Sequence, residues 1–172
     1  MIAARTPNTI HRTRTRTPPA KSKPAARRAL DWNAKLRPGL EPEIVIDKRY
    51  GDRLLLPTPL LIAGEIAAIP SGATLAVSAL RRTLAARFGA DRTCPLMTGM
   101  FLKIIAGAVA DDLVQRHPPR WPVWRVVGDD GRLSTVWPLD ALYRATRLRE
   151  EGVKIGRKGD AWQVLGVAEA GR

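Results

Sequence analysis

The apolar positions of the chain fall into four helical stretches separated by short extended runs. Thr58-Pro59 opens the first, because threonine caps helices well and proline suits the first helical position. Leu60, Leu61, Ile62, Ile66 and Ile69 follow at helical spacing, and Pro70 ends the run. Ser71-Gly72 turns the chain and Thr74-Leu75-Ala76-Val77 reads as an extended link. Ser78 is expected to cap a second helix whose Leu80, Leu84 and Phe88 stand four apart on one face, with Gly89 as its terminus. After a short turn, Cys94-Pro95 leads into a third helix. It turns Met97, Met100 or Phe101, Ile104, Ile105, Ala108 and Val109 inward as far as about Arg116. A fourth helix, from near Pro138, uses Leu139, Leu142, Tyr143 and Leu148 and stops at Gly152.

Between the third and fourth helices lies Val126-Val127, the turn Gly128-Asp129-Asp130-Gly131 and a second run from Arg132 to Val136. Asp-Gly between two strand-prone runs predicts a hairpin. Two helices joined by a tight turn and followed by a hairpin predict a winged helix-turn-helix. The expected fold is therefore mainly α with a small β-hairpin wing. The expected boundaries are a disordered basic arm over 1–37, a linker over 38–56, the winged-helix domain over 57–153 and a basic C-terminal tail over 154–172. Within the linker Ile44-Val45-Ile46 reads as a strand, and Trp162 to Val167 as a small strand or a loosely docked segment.

Charge adds a partner to this picture. The 172 residues carry a formal net charge of +13, from 29 basic and 16 acidic side chains. Residues 1–37 hold ten of those basic residues against Asp31 alone. Alternating Arg and Thr, then Pro18, Pro19 and Pro24, oppose a helix there and predict a disordered arm. A basic arm on a basic domain points to a polyanion, although such arms also serve solubility alone. Cys94 is the only cysteine, so no intrachain disulfide forms and a zinc site built on cysteines is not expected. No apolar run is long enough to span a membrane.

The segment Pro122-Val123-Trp124-Arg125-Val126-Val127 resembles the active-site segment of the methylated-DNA–protein-cysteine methyltransferases, which remove alkyl groups from oxygen six of guanine. That family carries Pro-Cys-His-Arg-Val-Val, a short turn containing Gly, and a helix ending in Glu-Gly. Here Asp130-Gly131-Arg132-Leu133 and Leu148-Arg149-Glu150-Glu151-Gly152 follow at the matching places, and Pro70-Ser71-Gly72 resembles the family's Pro-x-Gly turn. The resemblance covers roughly residues 57–153. Val123 stands in place of the acceptor cysteine and Trp124 in place of the histidine that activates it. Valine has no lone pair and the tryptophan ring nitrogen only donates, so neither replaces a thiolate and its base. Val77 and Ser78 match the family's DNA-facing tyrosine and its neighbour. Leu96, in Leu96-Met97-Thr98-Gly99, matches the arginine that fills the gap left by a rotated base. The resemblance thus implies an alkyltransferase-like protein that keeps a DNA-binding fold and lacks the reaction.

It also implies site residues. Arg81, Arg82, Arg87, Arg92, Leu96, Thr98 and Lys103 are the expected DNA-binding set, on or beside the presumed recognition unit; solvated helix positions of this kind are also common without any partner. Val123, Trp124 and Arg125 are the expected base pocket, where Trp124, or Trp121 beside it, stacks on an extruded base or else closes the core. Arg125 has a second expected role, holding loops through backbone carbonyls. Leu96 is either an apolar wedge or core, and Met100 is expected in the core. Cys94, at a helix start, is a candidate displaced nucleophile if His117 approaches it. The pairs Asp111-Asp112 and Asp129-Asp130 are candidate metal ligands or plain solvated acids. The expected function is a non-catalytic DNA-binding protein recognising alkylated or distorted DNA in repair. The alternatives are a winged-helix regulator or nucleoid protein that flips no base, and an enzyme using Cys94. Double-stranded DNA is the expected partner of a monomer in the cytoplasm, associated with the nucleoid, with no cofactor and no membrane contact.

Overall fold

The computed structural model describes residues 30–166; of the arm expected over 1–37, residues 1–29 lie outside the described residues. The described residues are mixed α/β, with four α-helices and small sheets. β1 (Glu43–Ile46) and β2 (Arg53–Leu56) pair antiparallel, and β2 pairs in parallel with β4 (Arg92–Thr93). The stretch expected as a linker therefore forms the first sheet, and Leu55 at its centre is fully buried. Ile44–Ile46 is a strand as expected. The sequence hid its partner because Arg53–Leu56 is only four residues long and has no alternation.

α1 (Pro59–Ala67) starts where its cap predicts: the Thr58 hydroxyl accepts from the Leu61 amide at 3.2 Å. α2 (Val77–Phe88) begins one residue before the serine expected to cap it. Ser78 is not the cap; its amide donates to the Asp129 carboxylate at 2.8 Å, so a turn 51 residues away closes the helix. Gly89 ends α2 at φ 65°, the left-handed conformation that favours glycine. α3 (Pro95–Val114) is the long central helix, buried on nearly every side from Phe101 to Val109. α4 (Ala141–Glu150) is capped by the Asp140 carboxylate, which accepts from the Tyr143 amide at 2.9 Å.

The hairpin expected over 126–136 does not form. β5 (Val126–Val127) instead pairs in parallel with β3 (Leu75–Ala76), and both its valines are buried. The turn itself closes, with Gly131 N–H to Gly128 O at 2.8 Å and Gly128 N–H to Arg132 O at 2.8 Å. Beyond it, Arg132 bridges to Gln163 and the Leu133 amide donates to Trp162 O at 2.8 Å. The hairpin lies further on, as β6 (Ile155–Lys158) and β7 (Ala161–Val164), in the stretch expected to be a tail. Valines buried on both faces suit a parallel neighbour better than a solvent-facing wing.

Two apolar clusters result. The larger gathers Leu36, Leu55, Ile62, Leu80, Leu84 and Phe101 with the middle of α3, Val123 and Val126. The smaller joins Trp124, Val127, Leu133, Ala145, Leu148 and Val164. Residues 30–37 belong to the folded body. Leu36 is buried, and the Trp32 ring lies so close to Gly107 that a Cβ there would meet Trp32 Cδ2 at 2.2 Å.

Candidate nucleic-acid interface

The segment 122–127 is locked rather than open. Val123 is fully buried in the larger cluster and Trp124, 4% exposed, in the smaller. The Trp124 ring meets Tyr143 edge to face at 6.3 Å, and the Arg147 guanidinium lies 4.9 Å from its centre. Its Nε1 donates to Glu151 Oε1 at 2.8 Å. A side chain so enclosed presents no face to an incoming base, which corrects the stacking role expected of Trp124. Trp121 is half-buried against the larger cluster under the Arg120 guanidinium, 4.7 Å away.

Glu151 is the hub of this segment. Besides Trp124, it accepts from Arg125 Nε at 2.8 Å, from Arg125 Nη2 at 2.9 Å and from the Gly72 amide at 3.3 Å. Burial alone would raise its carboxyl, but the hydrogen bonds from Arg125 and Trp124 outweigh it and hold the group below the ordinary glutamate range. Arg125 Nη1 also donates to Ile69 O at 2.5 Å, so the loop-holding role expected of Arg125 is the one its contacts describe. Sequence reading placed Glu151 only at the end of a helix. Four donors converging from two distant stretches, Trp124-Arg125 and Gly72, leave no local signal.

The exposed surface lies on the first turns of α3. Leu96 is 80% exposed and Met100, one turn on, 48% exposed, with Gly99 between them and Lys103 at the end of the stripe. Met100 therefore faces solvent, which corrects its expected place in the core. Thr98 points the other way. It is 0% exposed and its hydroxyl donates to Cys94 O at 2.8 Å, so it is withdrawn from the surface set. Helix periodicity alone left the phase of α3 open, because apolar residues fill almost every position.

Beside Gly99 opens a cavity of about 260 Å³, walled by Val77, Leu102, Val126, Val127 and Trp137, with Arg132 at its edge. Trp137 was not expected here. Its ring is backed by the guanidinium of Arg144 at 4.8 Å, a fully buried arginine whose Nη2 donates to Ser134 O. Burial pulls the Arg144 guanidinium down to about 10. Nothing in the sequence distinguishes Trp137 from the other four tryptophans, since its placement depends on the closed turn before it.

On the other side of the α2 N-terminus lies a cleft of about 240 Å³ bordered by Ser78, Arg81, Arg82, Thr93 and Pro95. Arg82 Nη1 donates to the Ser78 hydroxyl at 3.3 Å, and neither Arg81 nor Arg82 takes part in an ion pair among the described residues. Arg87 and Arg92 differ. Arg87 pairs with Glu65, while Arg92 is held by Asp52 and, at 2.5 Å, by Asp47, with Tyr50 under its guanidinium at 4.7 Å. The hydrogen bond that Arg92 donates to Asp52 leads the causes that raise its guanidinium above the ordinary value. Both arginines are committed to the folded body.

The remaining candidates separate in space. Cys94 is half-buried at the N-terminus of α3, and His117 follows its C-terminus. A 20-residue helix puts about 30 Å between them. Asp112 accepts from Arg120 Nε at 2.9 Å, Asp129 caps α2, and Asp130 pairs with Arg132 at 3.1 Å. Among the described residues no three His, Cys, Asp or Glu side chains cluster, and no helix is long and apolar enough to cross a membrane.

No protein-family profile and no curated protein sequence matches the chain. The structure matches that of S. pombe ATL solved in complex with DNA. The match covers 63% of this chain and 88% of that one, at 19% identity and a TM-score of 0.41.

Proposed function

We propose that this chain is a non-catalytic DNA-binding protein of the alkyltransferase-like kind, which engages duplex through the start of α3 and favours alkylated or distorted bases. One observation carries the proposal: the exposed pair Leu96 and Met100 flanks Gly99, which lines an apolar cavity of about 260 Å³, and Arg81 and Arg82, without an ion pair among the described residues, line the neighbouring cleft with Pro95. Arg81, Arg82 and Lys103 supply phosphate contacts, whose affinity falls steeply with salt. Leu96 enters the base stack as an apolar wedge, a device known from minor-groove binders. The base displaced in this way turns into the cavity, with Trp137 as its aromatic wall. Flipping costs a few kcal/mol and least for a damaged base, so the cavity selects lesions without base-specific hydrogen bonds.

The residues in the reactive places support the reading of a chain without the reaction. Val123 cannot accept an alkyl group, Trp124 cannot take a proton from a thiol, and Glu151 already receives four hydrogen bonds. The one thiol lies a helix length from His117.

A titration with matched duplexes, one plain and one carrying an alkylated guanine, tests this reading. The alkylated duplex should bind more tightly, and Leu96→Ala should weaken it about tenfold, about 1.4 kcal/mol. Equal affinities, with Leu96→Ala without effect on either, would instead assign the surface to a regulator that leaves the bases stacked. Intact-mass measurement after incubation should show an unmodified chain; an alkyl adduct on Cys94 would revive the enzyme alternative.

A further inference from the structure

The β6–β7 hairpin carries charge that the interface above does not use. Arg149 on α4, Lys154 before the hairpin, and Arg157 and Lys158 near its tip are all exposed. None of the four joins an ion pair among the described residues, whereas Arg87, Arg92, Arg120, Arg125, Arg132 and Arg147 all do. The charge is also held in place. Trp162 stands opposite Arg157 in the hairpin register, and the Arg149 and Arg157 guanidiniums lie 4.7 and 5.0 Å from its ring centre. Gly159, at φ +60°, makes the two-residue turn that brings Lys158 opposite Ala161.

We propose that this hairpin is a second contact for duplex DNA, setting Arg157 and Lys158 against backbone phosphates that flank the segment engaged by α3. The inference rests on the DNA-binding reading and adds a surface to it. The hairpin root is tied to the loop that borders the cavity: Val164 N–H donates to Gly131 O at 3.0 Å, Leu133 N–H to Trp162 O at 2.8 Å, and Gln163 Nε2 to Asp130 O at 2.5 Å. Arg132, within that loop, edges the cavity beside α3. From Val164 to Ala161 the strand advances about 10 Å, roughly three base-pair steps of duplex. A rigid arm of that reach, rooted at the cavity, bears on phosphates beyond the central site. Those contacts add affinity without reading sequence.

The test uses the full chain and two plain duplexes, one of a length that just covers the α3 site and one extended by about four base pairs at each end. Anisotropy titrations across a salt series should show the parent chain gaining affinity on the longer duplex. Lys154→Ala combined with Lys158→Ala removes two exposed charges without touching either cluster. It should lower affinity for the long duplex three- to tenfold, reduce the slope of log affinity against log salt by about one to two, and leave the short duplex unaffected. Arg157→Lys, which keeps the charge, should retain most of the long-duplex gain. A parent chain that binds both duplexes, with a double variant indistinguishable from it in slope and length dependence, overturns the hairpin contact alone. A parent chain that binds neither duplex overturns the DNA-binding reading and this surface with it.

Discussion

Residues 122–127 and the first two turns of α3 lie close together and obey opposite rules. In the first, the polar side chains are all partnered: Trp124 Nε1 and the Arg125 guanidinium converge with the Gly72 amide on Glu151, and Val123 fills the core. In the second, Leu96 and Met100 stand in solvent, where burial would be favourable by about 1.5–3 kcal/mol each. A contiguous apolar pair beside a cavity marks a surface kept for a partner more clearly than scattered exposed residues do. The segment whose resemblance suggests chemistry is therefore packed as scaffold, and the adjacent helix start is what stays exposed.

The largest effect is expected at Trp124. Trp124→Ala should destabilise the fold by about 3–5 kcal/mol, since it empties the smaller cluster and leaves Glu151 short of a donor. Thermal melting measures this, and a variant that melts with the parent would return Trp124 to the surface.

Glu151→Gln comes next. It keeps the shape and removes the charge that Arg125 faces, at a cost of about 3 kcal/mol for a largely buried pair. The pH dependence supplies the sign. The folded-state carboxyl lies below its unfolded value of 4.5, so its contribution is fully present above that value and is lost as pH falls through the folded pKa. Between pH 7 and pH 3 the parent should lose more stability than Glu151→Gln does. Equal losses would mean that Glu151 is not the acid-sensitive hub.

Gly107→Ala should cost about 1–3 kcal/mol, because the new methyl displaces the Trp32 ring. Removing residues 1–39 should lower the melting temperature as well, in contrast to the independent arm that composition suggests. An unchanged melting temperature in both would detach Trp32 and Leu36 from the core. The smallest effect belongs to Leu96→Ala, which should change stability by no more than about 0.5 kcal/mol by thermal melting.

Local rules set much of this chain in advance. Thr58-Pro59, the spacing of Leu80 and Leu84, and Gly89 place helix ends within a residue or two, because caps and periodicity act over a single turn. The turn Gly128–Gly131 closes as its residues require. What the turn feeds was decided elsewhere. Val126 and Val127 pair with Leu75 and Ala76 some fifty residues away, and Arg132 and Leu133 meet β7, since short strands carry too little pattern to choose among partners. The same holds for the interface. Arginine positions were legible on α2 and just after it, but which of them stay out of ion pairs among the described residues depended on Glu65, Asp47 and Asp52 arriving from other elements to neutralise Arg87 and Arg92. α3 is apolar nearly all round, so its sequence was equally consistent with Thr98 or Met100 facing outward. Only the packing of Ile62, Leu80 and Val123 around it turned Leu96 and Met100 to solvent and Thr98 inward.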